Sequence, residues 1–278
     1  MLYWFDEVKT MIELRKLQQE TEAVVKEASR LMMGGFTTEE KGSPDNIVTS
    51  ADLAVQAFLE QRLTALLPEA GFFGEEGSSG NGTGYLWVVD PIDGTTNFSR
   101  GISECGISAA LLKDDVPVLG VVYDPNKGKL YSAARGCGAI CNGAPIRVSG
   151  RTFREGLFCT ALSLYRKEFG ERCMNVLREV YAGCSDFRRF GSCALELCYL
   201  AEGKCELYFE YRVFPWDFAA AALILEEAGG VICDGAGNAH AYDRATPVIA
   251  ANSRESLEQL VRIVKKHIPN FDYEEILR

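Results

Sequence analysis

The stretch from Tyr85 to Asn97, YLWVVDPIDGTTN, restricts the chain more than any other. An apolar, β-prone run, Leu86, Trp87, Val88 and Val89, delivers Asp90 to Pro91, Asp93 and Gly94, residue types that favour a tight turn. Two carboxylates therefore leave one strand end together, at most roughly 10 Å apart in extended chain and nearer across a turn. Oxygen donors of this kind suit magnesium or manganese, and paired ions in such sites lie about 3.5 to 4 Å apart. Gly94, Thr95 and Thr96 then read as the opening of a short helix, whose free N–H groups can hold a phosphate. Acids beside an anion cradle would repel phosphate by about 4 kcal/mol per charge pair at roughly 4 Å and an effective dielectric near 20. Cations lying between them resolve that conflict.

Asp-Pro and Asp-Gly are also ordinary turn formers, and Thr is an ordinary cap. Taken whole, the string resembles the signature of the inositol monophosphatase family, D-P-I-D-G-T-T-N, without a gap. Two further motifs agree in order: G-E-E at residues 74–76, and W-D followed by small residues and E-A-G-G over residues 216–230. The resemblance therefore spans nearly the full chain.

That resemblance implies an α/β (α+β) fold layered αβαβα. It also implies a magnesium-dependent, lithium-sensitive phosphomonoesterase that uses activated water without a covalent intermediate. In the family's pattern Glu75, Asp90 and the carbonyl of Ile92 hold one Mg2+, and Asp90, Asp93 and Asp217 hold a second. Two or three ions per subunit are implied, with Mn2+ as a substitute. Asp52 and Thr95 match the pair that polarises the attacking water, near Glu75. Gly94 and Thr95 face the phosphate, while Gly191, Ser192, Cys193 and Glu210 match the substrate pocket. A mobile loop in the family carries a lysine close to the metals, and Lys41 stands there. A homodimer is implied as well.

Within this class the substrate favoured by resemblance is a myo-inositol monophosphate. Fructose 1,6-bisphosphate and a nucleoside 3',5'-bisphosphate are alternatives, with Arg188, Arg189 and Arg212 as candidates for a second phosphate or as surface ion-pair partners. A partner-binding member without turnover is the alternative from another class. Cys193 in place of the usual Ala, and the bulky Tyr211-Arg212 after Glu210, depart from the pattern and bear on substrate rather than chemistry.

Spacing alone leaves several of these positions open. Ser50 can cap a helix to Leu67 in which Asp52, Val55, Leu59 and Leu63 step by three and four, so Asp52 extends the buried stripe. It could equally serve the helix dipole. Glu75-Glu76 could be surface acids before a polar loop, and Asp217 a plain N-cap.

The remaining elements follow from pattern. Phe5, Val8, Ile12, Val24, Ala28 and Leu31 recur at helical spacing from Tyr3 to Met33, ended by Gly34-Gly35. TTEEKGSPDN reads as a loop, and residues 47–49 as a short strand. ECGISAALL, VLGVVYDP and KLYSAAR form an antiparallel meander, turning at Asp114-Asp115 and Asn126-Lys127-Gly128, with a further reversal at Asn142-Gly143. After about residue 150, strands near 157–161, 186–190, 205–209, 231 and 248 alternate with helices near 170–182, 192–201, 217–228 and from Ser253. The expectation is a single domain, residues 1–278, with an α+β lobe over 1–150 and an α/β lobe over 151–278.

Composition narrows the partners. A net charge of −10 and a pI near 4.9 do not invite nucleic acid or anionic membranes. The start MLYWFDEVKT lacks the basic and apolar run of a signal peptide, and no apolar stretch nears the roughly 20 residues of a membrane span, so a cytoplasmic location is expected. Ten cysteines read as reduced core thiols, and the two histidines, His240 and His267, support neither zinc nor a Ser-His-Asp triad. Cys141 and Arg147 have the C-x5-R spacing of a cysteine phosphatase, but Pro145 and the β-prone Ile146-Arg147-Val148 replace the loop-to-helix context that chemistry needs.

Overall fold

The computed structural model describes residues 2–43, 46–80, 84–161, 169–269 and 271. Helix α1 (Leu2–Ala28) continues into a 3-10 turn (Ser29–Met33), and α2 spans Ser50–Leu66. Both pack on one face of an eight-stranded sheet, with Val24, Val25, Val55, Leu59 and Leu63 buried against Trp87, Val89, Ile107, Ala109 and Val121. Ile12 and Leu31, expected on the buried stripe, are exposed; Leu31 falls in the 3-10 turn, where α-helical spacing no longer holds. The side-chain contacts of Phe5 and Val8 lie outside the described set.

The large sheet contains β3 (Gly71–Gly74), β4 (Gly77–Ser79), β5 (Tyr85–Asp93), β6 (Gly106–Lys113), β7 (Val116–Asp124), β8 (Lys129–Ala134), β9 (Ala139–Cys141) and β10 (Ala144–Pro145). Its order is β10-β9-β8-β7-β6-β5-β3-β4, so the expected meander runs consecutively from β5 outward. Asp114 and Asp115, at φ 49° and 63°, make a two-residue reversal of the kind such hairpins prefer. In the segment expected to be mostly loop, β1 (Thr38–Ser43) and β2 (Asn46–Thr49) instead pair as antiparallel strands.

A second, five-stranded sheet follows: β11 (Leu157–Ala161), β12 (Asp186–Arg188), β13 (Leu207–Val213), β14 (Val231–Cys233) and β15 (Thr246–Ala251), in the order β12-β11-β13-β15-β14. Helices α5 (Cys193–Ala201) and α6 (Pro215–Glu227) fill the space between the sheets. Helices α4 (Gly170–Gly183) and α7 (Arg254–His267) cover the far face. The layers are thus αβαβα, as the motifs implied. The Ala219–Ala222 run lets α6 approach the large sheet closely: a Cβ on Gly120 of β7 would stand 2.5 Å from the carbonyl oxygen of Ala220. His267, in the last turn of α7, meets Glu179 of α4 at 2.6 Å. All ten cysteines are free, and burial raises the Cys141 thiol pKa, which works against the thiolate a cysteine phosphatase would need.

Candidate active site

The site begins with an irregularity in β5. Strand side chains alternate, so Asp90 and Asp93, three residues apart, would normally face opposite ways. Here Asp90 pairs with Ser108 and Asp93 with Gly106 of β6, three steps against two. The extra residue resets the alternation, and both acids line one cavity of about 400 Å3. Pro91, lacking an N–H, is tolerated in such a bulge. The tight turn expected at Pro91 is therefore a bulged strand, and the chain reverses only at Gly94, at φ 91°. A Cβ on Gly94 would stand 2.8 Å from the carbonyl oxygen of Glu104, so both conformation and space call for glycine. Helix α3 (Thr95–Ser99) starts directly afterwards.

Neighbouring elements bring the other acids. Strand β3 pairs parallel to β5 with Gly74 opposite Val89, which puts Glu75 beside Asp90; the Glu75 N–H donates to the Val89 carbonyl at 3.2 Å. Lys41, on β1, reaches Glu75 at 3.1 Å and contacts Glu76. Ser108, opposite Asp90, donates to the Trp216 carbonyl at 3.0 Å and so seats the start of α6, where Asp217 enters the same cavity. Helix α6 begins at Pro215, with Phe214 as N-cap residue. Asp217 is therefore in its first turn, accepting from the Phe214 N–H at 2.8 Å, and is not the N-cap itself.

Asp52 lies just behind the cavity wall. Its helix is capped by Thr49, not Ser50, and Asp52 is the reciprocal partner, accepting from the Thr49 N–H at 2.8 Å. Its other oxygen lies 3.2 Å from Thr95 Oγ, which is also 3.0 Å from the Ile92 carbonyl. One hydroxyl proton can serve only one of these acceptors at a time.

Electrostatically the cluster is costly. Burial first, and mutual repulsion after it, pushes Glu75 up to about 7 and holds Asp90 and Asp217 well above the usual carboxylate range. Burial also raises Asp93 to about 6, against the opposing hydrogen bonds from Ser192 Oγ at 2.6 Å and the Ala194 N–H at 2.6 Å. Lys41 keeps a raised pKa although burial opposes its charge, because Glu75 and Glu76 outweigh that cost. Among the described residues, no three acids already stand as a closed single-ion cage. The donor set still fits divalent cations: four carboxylates and the Ile92 carbonyl are hard oxygen donors facing a like-charge penalty that cations relieve.

The far wall comes from the second sheet. Gly191, Ser192 and Cys193 enter α5, and Ser192 is its N-cap. Glu210 lies within β13, not at its end; it is in regular register opposite Val248, lines the cavity, and Tyr208, two residues earlier on the strand, donates to it at 2.6 Å. Burial raises Glu210 to about 7. Arg212 lines the cavity with its guanidinium 4.7 Å from the Phe214 ring, which stacks on Trp216. Arg188 does not reach the site: it is exposed on β12 and pairs with Asp186 at 2.5 Å. Its neighbour Arg189 lines the cavity instead, since successive residues of an extended chain point to opposite sides. Asn97, Glu196, Phe214 and Trp216 also line the cavity. None was singled out as a site residue, although Asn97 closes the quoted signature and Trp216 adjoins Asp217.

With the site's residues located, their sequence context identifies the chain. The family pattern described as "Inositol monophosphatase family" matches residues 7–269, which contain every residue of the cavity.

The chain belongs to the inositol monophosphatase family.

Within the inositol monophosphatase family, a relative named Nus factor SuhB, from Vibrio cholerae serotype O1, is 36% identical over 234 residues, covering 83% of this chain and 85% of its own length. The crystal structure of the extragenic suppressor protein suhB from Bartonella henselae superposes with a TM-score of 0.83 at 31% identity, covering 92% of this chain and all of that one. A structure titled IMPase/NADP phosphatase complexed with Mg2+ and phosphate gives a TM-score of 0.75 at 26% identity, covering 93% of this chain and 95% of that one. Among the described residues, no helix of this family member is long and apolar enough to cross a membrane.

Proposed function

We propose that this chain is a magnesium-dependent phosphoric monoester hydrolase, with a myo-inositol monophosphate as its substrate. The observation that carries the reading is the convergence of Glu75 after β3, Asp90 and Asp93 on β5, and Asp217 on α6 on one cavity that also holds Gly94 and Thr95. Glu75, Asp90 and the Ile92 carbonyl would hold one Mg2+, and Asp90, Asp93 and Asp217 another. Bound divalent cations lower the pKa of a water and neutralise charge on the phosphate and leaving oxygen.

The chain's own residues do the rest. Thr95 Oγ, by donating its proton to Asp52, keeps its lone pairs for the proton of an attacking water. Burial raises the Asp52 pKa, so as Thr95 Oγ takes the water's proton Asp52 takes up the Thr95 hydroxyl proton more readily than an exposed acid would. The opening amides of α3 face an equatorial phosphate oxygen. Glu210, Ser192 and Cys193 meet the alcohol that remains.

A second reading has its own observation: Arg189 and Arg212 both line the cavity and would suit a second phosphate, as in fructose 1,6-bisphosphate or a nucleoside bisphosphate. One experiment separates the readings. Phosphate release is measured from inositol 1-phosphate and from the bisphosphates, with EDTA, with Mg2+, and with Mg2+ plus lithium. Magnesium-dependent turnover favouring inositol 1-phosphate is expected; a bisphosphate preference lost in Arg212→Ala supports the second reading. No release from any substrate would instead favour a partner-binding role, in keeping with the name Nus factor borne by the SuhB relative.

A further inference from the structure

Glu196 is a buried acid that the chemistry above does not use. It is 1% exposed in the first turns of α5, and its side chain folds back over the helix start. One oxygen accepts two backbone N–H groups, from Phe190 at 2.6 Å and Gly191 at 2.9 Å. The other oxygen is buried, with no hydrogen-bond partner among the described residues. Burial pushes the acid up to about 8, so it is largely uncharged at neutral pH.

The same peptide is held from the opposite side. Asn97 Nδ2 donates to the Phe190 carbonyl at 2.7 Å and to the Glu104 carbonyl at 2.7 Å. Asn97 belongs to the large-sheet half and Phe190 to the other, so this amide ties the halves together across the cavity rim. Gly191 must be glycine here: it sits at φ 84°, and a Cβ would lie 3.1 Å from Asn97 Nδ2. Both N–H groups and the carbonyl around the Phe190–Gly191 link are therefore fixed, and the next residue is Ser192, whose hydroxyl reaches Asp93.

We infer that Glu196 and Asn97 are positioning residues that clamp the Phe190–Gly191 link from both sides and so aim Ser192 and the Ala194 N–H at Asp93. Neither touches a reacting atom. The effect on cation binding rests on the reading of Asp93 as a ligand; the clamp itself does not. An apolar side chain at position 196 would avoid burying an unpaired oxygen, but it would leave two N–H groups without their acceptor. Glutamine keeps the acceptor at the same place without charge, which makes Glu196→Gln the conservative variant.

The test uses the full chain and four variants, Glu196→Ala, Glu196→Gln, Asn97→Ala and the double Ala variant. Amide hydrogen exchange in chelator reads the clamp without metal. Glu196→Ala and Asn97→Ala should each speed exchange of the Ala194 amide by about tenfold, while Glu196→Gln stays near wild type. The double variant should be little worse than either single one, because both act on one link. The Mg2+ concentration that gives half of the thermal shift should rise about tenfold in the Ala variants and hold in the Gln variant. Unchanged Ala194 exchange in both single Ala variants, equal damage in Gln and Ala, or effects that multiply in the double variant would overturn the clamp. A wild type that ignores Mg2+ would sink the proposed function instead, and the exchange data would still decide the clamp.

Discussion

Asp93→Asn offers the sharpest test of the carboxylate cluster, through stability rather than turnover. In the metal-free folded chain Asp93 titrates at about 6, against 3.8 when unperturbed, chiefly because of burial. The folded state thus binds this proton more tightly than the unfolded state, so its contribution to stability is greatest at low pH. It is lost as pH rises from about 4 through about 6. A shift of about two units corresponds to roughly 3 kcal/mol. Asparagine cannot ionise, yet its carbonyl oxygen can still accept from Ser192 and Ala194.

In chelator near pH 8, Asp93→Asn should therefore be more stable than wild type by up to about 3 kcal/mol, and the two should converge near pH 4. Saturating Mg2+ should stabilise wild type and leave the variant nearly unmoved, closing or reversing the order. Urea unfolding followed by tryptophan fluorescence, across that pH range with EDTA or Mg2+, measures both effects. A variant no more stable than wild type at pH 8 in EDTA, or one whose advantage persists at pH 4, would refute the argument.

Two further outcomes follow from other parts of the fold. His240 packs against Phe218 and Tyr242, and burial lowers its pKa from 6.5 to about 4. The unfolded chain takes up this proton first as pH falls below about 6.5, so wild type should lose up to about 3 kcal/mol toward pH 4. His240→Phe should lack that component, and identical acid limbs in urea titrations would exclude it. Gly120→Ala should destabilise the chain by about 1–3 kcal/mol, because the new methyl meets α6 backbone rather than a movable side chain. Unfolding midpoints check this, and a neutral result would mean that α6 can shift away from β7.

Much of the architecture was legible in the chain because it is locally encoded. The apolar run of β5, the Asp114-Asp115 reversal and the alternation of helix and strand after residue 157 each declare themselves over a few residues. The β1–β2 pair did not: TEEKGS has no apolar alternation, and its strand character comes from pairing with β2 rather than from propensity. Ile12 and Leu31 fit a helical stripe, but whether each position of a stripe meets the sheet is set by tertiary packing, and both are exposed.

The site divides along the same line. Which acids line the cavity could be read from motifs, since Glu75, Asp90, Asp93 and Asp217 are short-range patterns of residue type. How they meet is set by relations between distant segments: the bulge that turns Asp90 and Asp93 to one side, the parallel β3 pairing that seats Glu75, and the Ser108 bond that anchors α6. The choice of Arg189 over Arg188, and the grip of Glu196 and Asn97 on one peptide link, belong to the same category. Residue identity specifies which groups can donate, accept or carry charge. Direction and distance depend on strand register and on contacts across 100 residues of chain or more, and those exist only once the two sheets have closed around α5 and α6.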